Sequence, residues 1–112
     1  MAIDNHQLDR AFGALADPTR RAILARLAAG EATVSELGKA FPFRQPTISR
    51  HLKVLEEAGL VEGERDAQRR PRRLKAEGMK EVADWIEPFR KAWEDRLDNL
   101  DRHLRAINQN EE

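Results

Sequence analysis

TVSELGKAFPFRQPTISRHLKVLEEAGLV, residues Thr33 to Val61, is the stretch that decides the fold. Thr33-Val34-Ser35-Glu36 has the pattern of a capping box. There the threonine hydroxyl accepts from the third helical amide, and the glutamate reaches back to the cap amide. The helix it opens is short. Val34, Leu37 and Phe41 are its apolar positions, and Pro42 lies just past its end. Phe43 and Arg44 form a tight turn, and Gln45-Pro46 opens a second helix, with proline where a missing N–H costs little. Ile48, Leu52 and Leu55 follow at i, i+4 and i+7, one apolar stripe on one face. Ala58-Gly59 closes the helix, since glycine can take the positive φ that helix ends favour. A capped helix over about Thr33–Phe41, a tight turn and a single-striped helix over about Gln45–Ala58 make a helix-turn-helix.

Upstream, Leu8, Phe12 and Leu15 recur at helical spacing and predict a first helix. Asp17-Pro18 then reads as an N-cap followed by proline at the first helical position. The helix after it carries Ile23, Leu24 and Leu27 on one face, bears Arg20 and Arg21 at its start, and ends at Gly30. Downstream, Leu60–Arg65 reads as a strand, Asp66–Arg69 as a turn and Arg70–Lys75 as a returning strand. Pro71 cannot donate to a ladder, which puts that strand at an edge. A final helix is expected from about Glu77 to Ile107, with Pro88 kinking it or starting a new segment. The expected fold is mainly α with a small β-hairpin. It is a winged helix-turn-helix of about five helices and two strands, one domain over residues 1–112.

The 112 residues carry no cysteine, which excludes disulfides, thiolate metal sites and cysteine nucleophiles. They are 40% hydrophobic and 36% charged, a composition lean in core that gains from burying apolar area against a partner. No apolar run approaches the roughly 18 residues of a membrane span, so a soluble, cytoplasmic protein is expected. The net charge is +0, but it is unevenly spread. Residues 44–75 hold nine basic and five acidic side chains, whereas residues 76–112 hold six basic and ten acidic ones. A basic middle beside an acidic tail predicts an anion-binding face on a neutral body.

The second helix of the pair is the candidate reader of DNA. Away from its stripe stand Gln45, Thr47, Ser49, Arg50 and Lys53. Glutamine can pair bidentately with adenine and arginine with guanine, while hydroxyls and lysine suit bases or phosphate. His51 lies beside the stripe, with packing and phosphate contact both open. On the hairpin, Arg69 and Arg70 at the tip are the candidates for minor-groove or phosphate contact. Alternation puts Arg72 and Arg73 on opposite faces, and some of these arginines are expected to pair with Glu62, Glu64 or the acidic tail. Trp93, Leu97, Leu100, Leu104 and Ile107 repeat with spacings 4, 3, 4, 3, and Val82, Trp85, Ile86 and Phe89 extend that face. So much apolar surface predicts a homodimer interface. It is built from Leu8 and Phe12 of the first helix with Trp85, Phe89, Trp93, Leu97, Leu100 and Leu104; packing within one chain is the alternative. No Gly-rich phosphate loop, nucleophile with its base, or zinc-spaced histidine set is present, so neither an enzyme nor a bound cofactor is expected.

The run Leu15-Ala16-Asp17-Pro18-Thr19-Arg20-Arg21-Ala22-Ile23-Leu24 resembles the opening of ArsR-type winged-helix repressors. Val34-Ser35-Glu36-Leu37 and the stretch from Gln45 to Val61 are similar to that family's helix-turn-helix. The resemblance covers roughly Leu8 to Leu104. It implies a homodimer made by the first and last helices, and repression, often autoregulatory, by covering a palindromic operator. Many such repressors release DNA on binding metal through cysteines on the first helix of the pair, or Asp and His clusters on the last helix. Here the first position reads Ser35-Glu36-Leu37-Gly38, and the last helix has Asp84 and His103 without paired histidines. No metal is therefore expected. The competing readings are a metal-responsive repressor using carboxylates with His103 and His6, and a winged helix turned protein-interaction module.

Overall fold

A computed structural model describes residues 5–63 and 71–110 of the chain. The elements are α1 (Asn5–Leu15), α2 (Pro18–Ala28), α3 (Val34–Ala40), α4 (Gln45–Glu57), β1 (Val61–Glu62), β2 (Arg73–Leu74) and α5 (Ala76–Asn110). The chain divides into two compact units, one ending at Val82 and the other beginning at Ala83.

Local chemistry sets the helix ends of the first unit. The Asp17 carboxylate accepts from the amides of Thr19 (2.8 Å) and Arg20 (3.1 Å) and so caps α2. Arg20 and Arg21 turn back to the end of α1. Arg20 Nε donates to the Ala14 carbonyl at 2.7 Å, and Arg21 Nη1 to that of Leu15 at 2.6 Å. The run Asp17–Arg21 thus satisfies orphan groups at two facing helix ends, which fixes the α1–α2 corner. The capping box of α3 is complete, with the Glu36 amide on the Thr33 hydroxyl and the Thr33 amide on the Glu36 carboxylate.

The end of α4 is fastened from three sides. Gly59 sits at φ +75°, and the Leu60 amide donates to Leu55 while the Gly59 amide donates to Glu56. This 6→1 and 5→2 pair is a Schellman motif. Gln7 of α1 donates to the Ala58 carbonyl at 2.8 Å. Gly78 of α5 then approaches so closely that a Cβ on it would lie 1.8 Å from the Gly59 carbonyl oxygen. Ile23, Leu37, Ile48, Leu52, Leu55 and Leu60 are the fully buried large side chains of the core.

Among the described residues the two strands are shorter than expected. Leu60–Arg65 was the expected first strand, yet β1 is Val61–Glu62 alone among the described residues; the returning strand, expected over Arg70–Lys75, is Arg73–Leu74. The two are antiparallel, Val61 opposite Leu74 and Glu62 opposite Arg73. The reason lies in where the backbone bonds go. Pro71 has no N–H to give, and Arg72 exchanges both of its bonds with Ala32 rather than with β1. The expected turn, with Arg65, Arg69 and Arg70, lies outside the described residues.

In the second unit, α5 runs through Pro88 without starting a new segment and ends at Asn110 rather than Ile107. Trp85 and Phe89 stack one turn apart, ring centroids at 4.8 Å. A lone helix has no core of its own. Trp85, Ile86, Phe89, Trp93, Leu97, Leu100, Leu104 and Ile107 are accordingly 40–60% exposed in the single chain. No helix among the described residues is long and apolar enough to cross a membrane.

Two predictions follow from the helix ends. Helix propensity alone would make Gly78→Ala stabilising by about 0.5–1 kcal/mol. The contact with the Gly59 carbonyl reverses the sign, and urea denaturation should show a loss of roughly 1–3 kcal/mol. A gain in stability would refute the close approach. The second concerns pH. The amide of Arg20 holds Asp17 below its ordinary value of 3.8, helped by the Thr19 amide, and the amide of Thr33 holds Glu36 below 4.5. Folded values below unfolded ones give stability that is present above those ordinary values and lost as pH falls through the folded ones. The pair Asp17→Asn and Glu36→Gln should therefore flatten the fall of stability below about pH 4.5, measured by denaturation as a function of pH. An acid limb as steep as in the unaltered chain would contradict it.

Candidate nucleic-acid interface

The core stripe of α4 orients everything else on that helix. Ile48, Leu52 and Leu55 are buried, so at about 100° per residue Arg50 points almost directly away from the core. Lys53 and Ser49 flank it on one side, Val54 and Thr47 on the other. Gln45, Ser49, Arg50 and Lys53 are exposed and Thr47 is half-buried. The five side chains singled out from sequence thus share one helix, its N-terminal turns richest in them. Arg44, also exposed, is the N-cap residue and makes no side-chain cap bond.

Val54 was not singled out. It is 38% exposed beside Arg50, where an apolar branch is costly unless something covers it. Its position one turn after Arg50 and two after Thr47 was the available signal. A valine there suits contact with a thymine methyl group. His51 is half-buried.

The hairpin arginines divide. Arg73 is exposed and pairs across the strands with Glu62 at 2.9 Å, one of the pairings expected. Arg72 is buried at 6% exposure, and its Nε donates to Glu56 of α4 at 2.8 Å. Glu56 was not among the expected partners. The basic excess of residues 44–75 is thus partly neutralised internally. Its exposed cations among the described residues of α4 and its cap are Arg44, Arg50 and Lys53.

Of the residues assigned to a dimer interface, Leu8 is buried in the first unit and Phe12 packs half-buried against its core. Trp85, Phe89, Trp93, Leu97, Leu100 and Leu104 line the exposed face of the second unit. No three of His, Cys, Asp and Glu come together as metal ligands among the described residues, and cysteine is absent from the sequence. The cleft between the end of α4 and the start of α5 has a polar lining of Gln7, Glu56, Glu57, Lys75, Glu77 and Glu81.

Known proteins share this arrangement. A family described as a helix-turn-helix domain matches residues 15–64. HTH-type transcriptional regulator Rv2034 of Mycobacterium tuberculosis is 57% identical over 53 residues, 47% of this chain and 50% of that one. Transcriptional repressor SdpR of Bacillus subtilis is 36% identical over 61 residues, 54% of this chain and 68% of that one. The match thus spans about half the length of the first of these curated relatives and two thirds of the second. The crystal structure of ArsR family transcriptional regulator RHA00566 superposes with a TM-score of 0.71 at 39% identity, covering 84% of this chain and 97% of that one. The homodimeric winged helix-turn-helix DNA-binding domain Mb0332 of Mycobacterium bovis superposes at 0.60 with 31% identity, covering 84% of each.

Proposed function

Since this chain belongs to the ArsR family of winged helix-turn-helix transcriptional regulators, we propose that it represses transcription by binding a palindromic operator as a homodimer. The observation that carries the reading is the outward face of α4. It is polar and cationic around Arg50, directly opposite the buried stripe of Ile48, Leu52 and Leu55. Set in a major groove, Gln45, Thr47, Ser49 and Arg50 reach base edges, and Val54 meets a thymine methyl. Lys53, with Arg69 and Arg70 of the wing, contacts phosphate or the minor groove. The relative SdpR is named a repressor, which favours repression over activation.

The dimer rests on the second unit. Eight large apolar side chains between Trp85 and Ile107 stand 40–60% exposed on one helix. Water contact over such a length is unfavourable, and a second copy offers the same seam in return, the self-complementary match of a two-fold interface. The homodimeric state of the Mycobacterium bovis domain supports it. Entry of two α4 helices into successive major grooves calls for a separation of about 34 Å, one turn of duplex.

Selection of bound duplexes from a random-sequence library should return an inverted repeat. On that duplex Arg50→Ala should weaken binding by roughly 1–3 kcal/mol and relax preference at one base pair of each half-site. Lys53→Ala should weaken all sequences alike and reduce the salt slope by about 1. No salt-dependent binding to any duplex would end the reading. Sedimentation equilibrium at micromolar concentration should give a dimer, and Trp93→Glu a monomer. A monomeric unaltered chain would refute the interface.

A further inference from the structure

Arg72 lies in the basic wing, where composition alone would count it among the DNA contacts. Its surroundings give it a different task. Its backbone N–H donates to the Ala32 carbonyl at 2.8 Å, and its carbonyl accepts from the Ala32 amide at 3.0 Å. Ala32 immediately precedes Thr33, the cap of α3. Its side chain crosses Gly63, where a Cβ would lie 2.4 Å from Arg72 Cδ and 3.0 Å from Nε. The guanidinium then meets Glu56, in the last turn of α4, at 2.8 Å. One residue therefore ties the wing to α4 and to the segment that leads into α3. Only 6% of it is exposed, too little to grip a phosphate while it holds Glu56.

We propose that the Arg72–Glu56 pair sets the wing in register with α4, so that Arg72 is a positioning residue for DNA recognition and not itself a DNA contact. A wing and a recognition helix must reach neighbouring grooves together, and a small error in their mutual placement removes contacts from both. A buried cation also tolerates few positions, because moving it away from its partners costs interaction in a place water does not reach. The pair thus defines one placement where a flexible hairpin would sample several. The inference rests on the reading of α4 and the wing as the DNA-binding surface.

The deciding variant is Glu56→Gln, because the two roles of Arg72 predict opposite signs. Were Arg72 a phosphate ligand, losing the carboxylate would release it toward DNA and remove a repelling charge, and binding would tighten or stay unchanged. As a positioning pair, Glu56→Gln weakens binding to the duplex selected by the unaltered protein by roughly tenfold. It also lowers the ratio of that affinity to the affinity for a scrambled duplex. Arg72→Gln does the same, and the double variant is no worse than either single one, the non-additivity of two partners in one contact. Arg72→Lys keeps the charge and recovers part of the ratio. Circular dichroism and thermal melting establish that each variant is folded at the assay temperature; should Arg72→Gln unfold, Glu56→Gln and Arg72→Lys decide. Tighter or unchanged binding by Glu56→Gln overturns the proposal. So does a lower melting temperature with an intact specificity ratio, which would make the pair merely structural. Failure of the unaltered chain to bind any duplex would instead sink the functional reading beneath it.

Discussion

The rest of the structure depends on how α4 is held at its C-terminal end. Gly59 leaves the helix at φ +75°, Gln7 takes up the Ala58 carbonyl, and Gly78 packs against the Gly59 backbone. Three helices meet there within a few atoms of each other. Each contact involves backbone, and backbone contacts tolerate little adjustment. Packing density in such a place approaches that of a crystal, so the helix axis is fixed rather than averaged. The opposite end of α4 is held by side chains instead, with Ile48 fully buried and Gly38 of α3 lying against Gln45 and Ile48. Arg44 caps it without a side-chain bond, and the exposed polar residues gather in the first turns.

Much of this was legible in the sequence, because the informative signals are local. Thr33 and Glu36 specify a cap within four residues, and the Schellman end at Gly59 needs only glycine after an apolar stripe. The stripe Ile48–Leu52–Leu55 fixes by itself which side chains of α4 face outward. What escaped depends on residues far apart in the chain. Gly78 looks like a weak point in a helix until Gly59 is seen beside it. Arg72 looks like another wing cation, yet its partner is sixteen residues away on a different element. Arg20 and Arg21 stand out in the sequence only as basic residues at the start of α2, and they close the end of the preceding helix. Among the described residues Leu60, Gly63, Pro71, Arg72 and Lys75 fall outside the strands expected to hold them, because pairing decides where a ladder runs.

Charge placement shows the same division. A basic segment suggests a uniform field, but Arg72 and Arg73 have carboxylate partners within the fold. On α5, Arg90 sits between Glu87 and Glu94, which raise its pKa and keep it charged, with Glu87 lowered in turn. These exposed pairs add little stability. They dress the helix for water beside an apolar face that water does not suit.

The closure at Gly59 and Gly78 has a consequence for how the chain can vary. Everything from Leu60 to Glu77 leaves and returns through one clamped gate, closed further by Val61 opposite Leu74. Once the ends of a segment are pinned, its closure entropy grows only slowly with length, by about 0.6 kcal/mol per doubling. Residues inserted or exchanged near the hairpin tip therefore disturb neither the core nor the axis of α4. Changes of length or charge between Gly63 and Pro71 leave the anchors at Val61, Arg72 and Leu74 in place, so a lineage seeking new operators can explore that stretch cheaply.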